Sequence, residues 1–516
     1  MTKELLVQLG GPVAAVGLVW LILWSHPAVR LGGLLLAVVG VCLMIPLLLP
    51  SSDPVKLAGV GAAALAVAIL LAVVFHRWPW AFGLLAIAAA PARIPVTLGD
   101  ADANLLVPLY AIVASGALKL AYELLCDRVW ARELGFLAWP VAAFAGWLAA
   151  SAVWADSHRE AAIDVAFFVV PFALLAVLVS RLPWKRTALS SAYTLLVTLA
   201  VAFAGVGIYQ WVAREIFWNP KVEVFNAFRT PFRVNSVFWD PSIYGRFLVV
   251  AILVSLAVLL LGGARRRALA LAIGGAIAVM WIGLLFSFSQ SSFAALALGT
   301  VLLILLVWRW RALIAISLAL AVLVPVVALA PQFDNVRPVV FAGREGGLDS
   351  ATGGRYGQMK SGVHLARENP VLGVGLGGYL NAYAEQENLQ RAPGRLAQHA
   401  SPVTVAAETG LPGLALFVAL AAAGLATSLR AARGSPLSRI TALSASAIFA
   451  AIMIHSLFYS AFFEDPMMWG ALGLAALALG NREVVEEPKR TRERARVERP
   501  PPRPVRSGWP LSDPPA

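Results

Sequence analysis

Phe247-Leu-Val-Val-Ala-Ile-Leu-Val-Ser-Leu-Ala-Val-Leu-Leu-Leu261 runs for fifteen residues with one hydroxyl and no charge. Pro241-Ser-Ile-Tyr-Gly-Arg246 leads into it, and Gly262-Gly-Ala-Arg-Arg-Arg267 follows it. A helix rises about 1.5 Å per residue, so 241–261 matches the ~30 Å hydrocarbon core of a bilayer. The run shows no alternation of polar and apolar residues, which excludes a half-buried strand. It reads as a membrane-spanning helix.

Working outward, similar runs fill most of the chain. They fall near 5–24, 31–49, 57–75, 79–91, 103–120, 134–154, 160–181, 187–211, 268–287, 291–308, 311–330, 403–429, 437–461 and 467–480. The fold class expected is therefore all-α, a polytopic membrane protein with 12–15 transmembrane helices. The first run lacks a small-residue cleavage site and leads directly into another span, so it reads as retained. Composition agrees. Of 516 residues, 60% are hydrophobic and 13% charged, whereas soluble domains are about a quarter charged. A water-soluble enzyme is excluded. Two cysteines, Cys42 and Cys126, exclude a disulfide framework and any Cys-rich metal site.

The net charge of +13 would suggest nucleic acid in a soluble protein. In a membrane chain it reports orientation instead. Arg128 and Arg132, Arg181 with Lys185 and Arg186, Arg265–Arg267, Arg309 and Arg311, and Arg430, Arg433 and Arg439 fall on one side of these spans. The positive-inside rule makes that side cytoplasmic. The opposite, extracytoplasmic side receives the loops near 92–102, 155–159, 212–240, 287–291 and 331–402. Residues 481–516 read as a disordered, basic, Pro-rich cytoplasmic tail. The chain thus divides into N-terminal spans (1–186), a central region (187–480) and this tail.

The 72-residue loop 331–402 is too long to be a plain connection. Tyr356, Met359, Val363 and Ala366 recur at helical spacing until Asn369-Pro370, and a second short helix is expected from Tyr379 to about Gln390. A small helical cap on the outer face results. Gly373-Val-Gly-Leu-Gly-Gly378 fits a loose GxGxxG but follows no predicted strand, so it is not read as a nucleotide fingerprint. His364 and Glu368 are four apart, yet no third ligand has useful spacing, and no metal or other cofactor is implied.

Basic residues gather in both large outer loops: Arg229 and Arg233 with Arg246 just inside the next span, and Arg355 among others in the cap. Guanidinium groups beside membrane helices fit a bound phosphate, which they grip in bidentate geometry.

Three stretches then carry a family resemblance. They are Arg233-Val-Asn-Ser-Val-Phe-Trp-Asp-Pro-Ser-Ile-Tyr-Gly-Arg246, Gly354-Arg355 followed by Asn369-Pro-Val-Leu-Gly-Val-Gly-Leu-Gly-Gly-Tyr379, and Gln398-His399 followed by Glu408-Thr-Gly-Leu-Pro-Gly413. Their order resembles the O-antigen ligase and polymerase family of bacterial envelope glycan assembly. The resemblance covers roughly 190–430. It implies a membrane glycosyltransferase that moves a glycan from undecaprenyl diphosphate to an acceptor sugar hydroxyl. It also implies that Arg233 and Arg355 hold the diphosphate and that His399 is the catalytic base. The chain departs from the family twice. Ala400 stands where Asn usually follows the His, and Ser289-Gln-Ser-Ser292 stands where a Ser-Arg pair often opens a helix. Arg246 or Arg229 would then supply the missing contact.

The chemistry expected from the residues is compatible. Transfer from a polyprenyl diphosphate needs a base near a hydroxyl and fixed positive charge at the leaving group. Histidine titrates in the right range for that base, and of six histidines only His399 lies in the outer loop just ahead of a span. The expected partners are the lipid-linked donor, a lipid-linked or glycan acceptor and membrane lipids, with no nucleic acid. The expected location is the cytoplasmic membrane, with the site on its extracytoplasmic face. The rival reading is a transporter or flippase of lipid-linked glycans. Such proteins tend to show repeated halves and midplane sites; no repeat is visible here. His455 is an ionisable group at membrane depth near Glu464 and Asp465 and receives no role, and Glu408 either orients His399 or bonds a helix end.

Overall fold

The computed structural model describes residues 3–49, 54–98, 101–126, 133–217, 219–228, 232–262, 266–308, 355–386, 401–459 and 462–481. The N-terminal spans are α1 (Lys3–Leu23), α2 (Pro27–Leu48), α3 (Pro54–Arg77) and α4 (Trp80–Ala89). An antiparallel hairpin follows, β1 (Ile94–Leu98) and β2 (Ala101–Leu105), in the register Ile94 opposite Leu105. Then come α5 (Val107–Leu125), α6 (Ala138–Ala150), α7 (His158–Asp164) and α8 (Val170–Ser180), the last two joined by a π-helical stretch, Val165–Val169. The central region holds α9 (Arg186–Ala213), α10 (Pro220–Phe228), α11 (Pro241–Leu260), α12 (Arg267–Ser287) and α13 (Gln290–Trp308). The cap contributes α14 (Arg355–Glu368) and α15 (Tyr379–Gln386), and the chain ends with α16 (Ser401–Ala431), α17 (Pro436–Ser456) and α18 (Pro466–Gly480).

Among the described residues, eleven helices are long and apolar enough to cross a membrane, and Gly61–Arg77, Trp80–Ala89 and Pro466–Gly480 are shorter apolar helices. The chain is an all-α, multi-pass membrane protein. The expected spans agree with the helices to within a few residues, and the span expected at 311–330 lies outside the described residues. Two local expectations change. The outer loop near 92–102 is a hairpin, which delays the next helix from 103 to Val107. The loop 212–240 contains α10, a helix of nine residues.

Side-chain bonds define the two ends of the bundle. Gln8 Nε2 lies 2.9 Å from His158 Nε2, so α1 starts on the end where α7 starts. At the other end, Arg30 is 1% exposed and forks onto both carboxylate oxygens of Glu133 at 3.0 and 2.7 Å, while its Nε bonds the Leu21 carbonyl at 3.1 Å. Arg181 reaches Glu133 as well and bonds Glu123 at 2.5 Å, and Lys119 pairs with Glu123 at 2.8 Å. A buried guanidinium is tolerated only with such a partner. The network fastens α2, α5, α8 and the entry to α6 at the end remote from His158.

Burial separates the spans by role. In α11, 72% of the spanning window is buried, against 17% in α9 and 22% in α12. Helix α11 is therefore interior, and a charged residue on it meets protein rather than lipid.

The cap docks through backbone. Helix α16 is kinked at Gly410 (φ 71°, ψ −175°), and the Asn369–Gly378 loop lies along this kink. Leu411 N–H donates to Pro370 O at 2.8 Å, Val374 N–H to Ala407 O at 2.9 Å and Gly375 N–H to Glu408 O at 2.8 Å. On its other side, Asp156 N–H donates to Val374 O, and Trp154 Nε1 donates to Leu372 O at 2.9 Å. Gly375 has φ +84°, and a Cβ there would collide with the Ala155 backbone. The glycine run thus serves close packing of the cap on the bundle.

Candidate active site

Two helices begin with the same device. Asp240-Pro241-Ser242 opens α11 and Asp465-Pro466-Met467 opens α18. In each, the aspartate Oδ1 accepts the N–H two residues on, at 2.6 Å from Ser242 and 2.8 Å from Met467. Proline at the first helical position needs no hydrogen bond, and aspartate is among the strongest N-caps. The two capped ends meet at Arg246. Its Nε lies 2.9 Å from Asp465 Oδ2, with side-chain exposures of 2% and 1%. The contact is out of hydrogen-bonding line, so Arg246 Nε and Nη1 and Asp465 Oδ2 have no hydrogen-bond partner among the described residues.

Around this pair lie Arg93, Tyr459 and Glu464. Burial pushes the Glu464 carboxyl up to about 6, against the opposing pull of Arg93 and Arg246. The neighbouring Asp240 charge, followed by burial, raises the Tyr459 phenol, and Arg246 and Arg93 again oppose it. Two guanidinium groups, from the turn after α4 and from α11, therefore act on one carboxylate and one phenol. Tyr459 also packs on His455, with ring centres 5.6 Å apart.

The turn between α12 and α13 forms the next wall. Phe288 takes the left-handed conformation (φ 46°), and the following serines fold inward. Ser289 Oγ lies 2.8 Å from Ser292 Oγ and 3.2 Å from Ser291 Oγ, and Ser291 Oγ lies 3.0 Å from His455 Nε2. Arg233 approaches this turn from the preceding loop. Its Nε donates to Ser287 O at 3.0 Å, and its guanidinium lies 5.6 Å from the Phe225 ring centre. Asn226 holds the Arg233 backbone on both sides, accepting its N–H and donating to its carbonyl, each at 2.9 Å.

Arg233 and the first turn of α11 thus border one turn. Ser292 Oγ reaches Ser242 O, on the first turn of α11, at 3.5 Å, while Ser287 O receives Arg233. Arg355 is the first residue of α14, which packs on α16. Arg229 and His399 lie outside the described residues. Glu408 is buried, and its Oε1 accepts the Tyr379 N–H at 3.3 Å. Its expected bond to a helix end is seen, and the other expected role, orienting His399, falls outside the described residues. His455 bonds Ser291 inside the bundle. His364 Nδ1 sits 3.3 Å from Glu368 Oε1 on an exposed face of α14.

Residues 275–418 match the family model for O-antigen ligase. This segment is similar to the O-antigen ligase family. It spans most of α12, the serine turn, α13, the cap helices and the first half of α16. No curated protein matches the chain. The similarity supports a membrane glycan ligase or polymerase in general. Arg93, Arg233, Arg246 and Asp465 lie outside the matched segment, yet Arg233 and the start of α11, which carries Arg246, border its serine turn. Arg93, Glu464 and Asp465 are not among the site residues expected from the sequence. Arg93 had a signal, a basic residue in a short loop on the side where the rule expects few. Asp465 had only its place near the intramembrane His455.

Proposed function

We propose that this protein transfers a glycan from undecaprenyl diphosphate to an acceptor sugar hydroxyl at the extracytoplasmic face of the cytoplasmic membrane. The acceptor is a lipid-linked sugar in the ligase case or a further repeat unit in the polymerase case. The observation that carries the reading is Arg246. A buried guanidinium with unused N–H donors is costly unless an acceptor occupies them during function. Phosphate oxygens match that geometry and charge.

In this reading Arg233, Arg246, Arg355 and Arg229 hold the diphosphate. His399 takes the proton of the acceptor hydroxyl as its oxygen attacks the anomeric carbon. The bond from that carbon to the phosphate oxygen breaks, and the diphosphate leaves as an anion stabilised by the guanidiniums. A single displacement inverts the anomeric configuration. Fixed positive charge at the leaving group supports a metal-independent reaction. Against the transporter reading stands the placement of Arg246 in the second turn of α11 and of Asp465 at the N-cap of α18, since transporter sites favour the midplane.

The test is transfer of labelled glycan from an undecaprenyl diphosphate donor by the purified full chain in detergent, without added nucleotide or metal. Product with inverted linkage supports the proposal; no transfer to any lipid-linked or glycan acceptor sinks it. Within an active preparation, full activity of His399→Ala would remove the base assignment.

A further inference from the structure

We propose that Asp465 is the positioning residue that aims Arg246 at the donor. This rests on the reading of Arg246 as a diphosphate contact. The two oxygens of Asp465 have separate tasks. Oδ1 closes the first turn of α18 through the Met467 N–H, and Oδ2 faces Arg246 Nε at 2.9 Å. Helix capping alone needs no charge, because asparagine caps as well as aspartate. Asp240 caps α11 in the same way and makes no ion pair among the described residues. The ion pair is thus an addition to the cap.

Its geometry explains what it does. A guanidinium at 2% exposure needs a counter-charge to remain in place. Asp465 supplies that charge at Nε, the side of the guanidinium, and leaves Nη1 unused. Phosphate is gripped best by paired guanidinium N–H groups. An acid that held both terminal nitrogens, as Glu133 holds those of Arg30, would block this grip. Asp465 instead anchors Arg246 without occupying Nη1. Because it starts α18, it also fixes Arg246 to the end of the last span.

The experiment measures donor and acceptor KM separately for the full chain in detergent, using undecaprenyl diphosphate-linked glycan as donor. Asp465→Asn keeps the cap and removes the charge. It should raise donor KM about tenfold or more, the loss expected when Arg246 no longer makes one charge-assisted hydrogen bond to the donor, with acceptor KM within about twofold. Arg246→Lys should raise donor KM similarly, and the double variant should be no worse than Arg246→Lys alone. A structural role would lower the yield of folded enzyme and leave both KM values unchanged. If Arg246→Lys raises donor KM and Asp465→Asn does not, the positioning role is wrong while the reading of Arg246 stands. If Arg246→Lys leaves donor KM unchanged, both fall. Should Asp465→Asn fail to fold, Asp465→Glu retains the charge one methylene further out. An unchanged donor KM in that variant would overturn the proposal, and a raised one with constant acceptor KM would support it.

Discussion

Arg233 Nε donates to the carbonyl oxygen of Ser287 at 3.0 Å, so the arginine stands on the C-terminal end of α12. That end carries partial negative charge, and a guanidinium there is favoured by the helix dipole. The bond also holds the start of the serine turn. Arg233→Ala should therefore act twice. Thermal unfolding in detergent should show a loss of about 1 kcal/mol, the usual worth of such a bond. Donor KM should rise more than this stability loss explains. Arg233→Lys should keep most of the stability and lose donor affinity, because lysine lacks the planar fork. A lysine variant with unchanged donor KM would leave Arg233 with the helix-end role alone.

His455 and His399 should separate cleanly in kinetics. His455 Nε2 faces Ser291 Oγ at 3.0 Å in a buried setting. His455→Ala leaves that hydroxyl without this partner, and about 1–3 kcal/mol of stability should go with it. The kcat of the folded fraction should change little. His399→Ala should show the converse, normal thermal stability with kcat down by about 10²–10⁴, the usual contribution of a general base. Stability curves and active-site-normalised kcat for the two variants decide the matter. A large kcat loss in His455→Ala with intact stability would move the catalytic role to His455.

The spans were legible because a bilayer demands long apolar runs, and those runs leave little ambiguity. Two pieces were not legible. Ile94-Pro-Val-Thr-Leu98 contains a proline and is followed by Gly99-Asp100, so it read as a loop, although it pairs with Ala101–Leu105. Helix α10 has nine residues, too few for periodicity to separate it from a turn. At the site, Arg246 was legible as an arginine entering a span. Its partner Asp465 was not, because the pair joins α11 to α18, and nothing in local spacing links two such distant helices. Arg93 was passed over for the same reason, since its neighbours Tyr459 and Glu464 lie at the far end of the chain.

Glu464 predicts a pH dependence with a definite sign. Its folded pKa is raised to about 6 from an unfolded value near 4.3. A raised carboxyl contributes stability that is fully present below the unfolded value and is lost as pH rises through the folded one. The window is therefore about pH 4–6. Above it, the folded protein carries an ionised Glu464 against the preference of its surroundings. Glu464→Gln should be more stable than the wild type at pH 7.5 by about 1 kcal/mol, allowing for partial exposure. The difference should shrink as pH falls towards 4. Thermal unfolding of both proteins across pH 4.5–8 measures this. A glutamine variant less stable at pH 7.5 would mean that the ionised carboxylate is held by Arg93 and Arg246 after all.

Glu408 can be assigned by a pair of substitutions. Its Oε1 accepts the Tyr379 N–H at 3.3 Å, and its own carbonyl accepts the Gly375 N–H at 2.8 Å. The side chain therefore ties the start of α15 to α16, beside the loop that seats the cap. Glutamine offers the same acceptor oxygen without the charge; alanine offers none. If the carboxylate serves the helix end, Glu408→Gln should keep activity within about threefold, whereas Glu408→Ala should loosen the cap by about 1–3 kcal/mol. Hydrogen exchange of residues 369–386 should then accelerate in the alanine variant and hardly change in the glutamine one. If the carboxylate instead orients His399 through its charge, both variants should lose activity together, and the pH profile of kcat should shift in Glu408→Gln. The contrast between exchange and pH profile separates the roles, because a tether acts through a hydrogen bond and an orienting carboxylate acts on the pKa of the base.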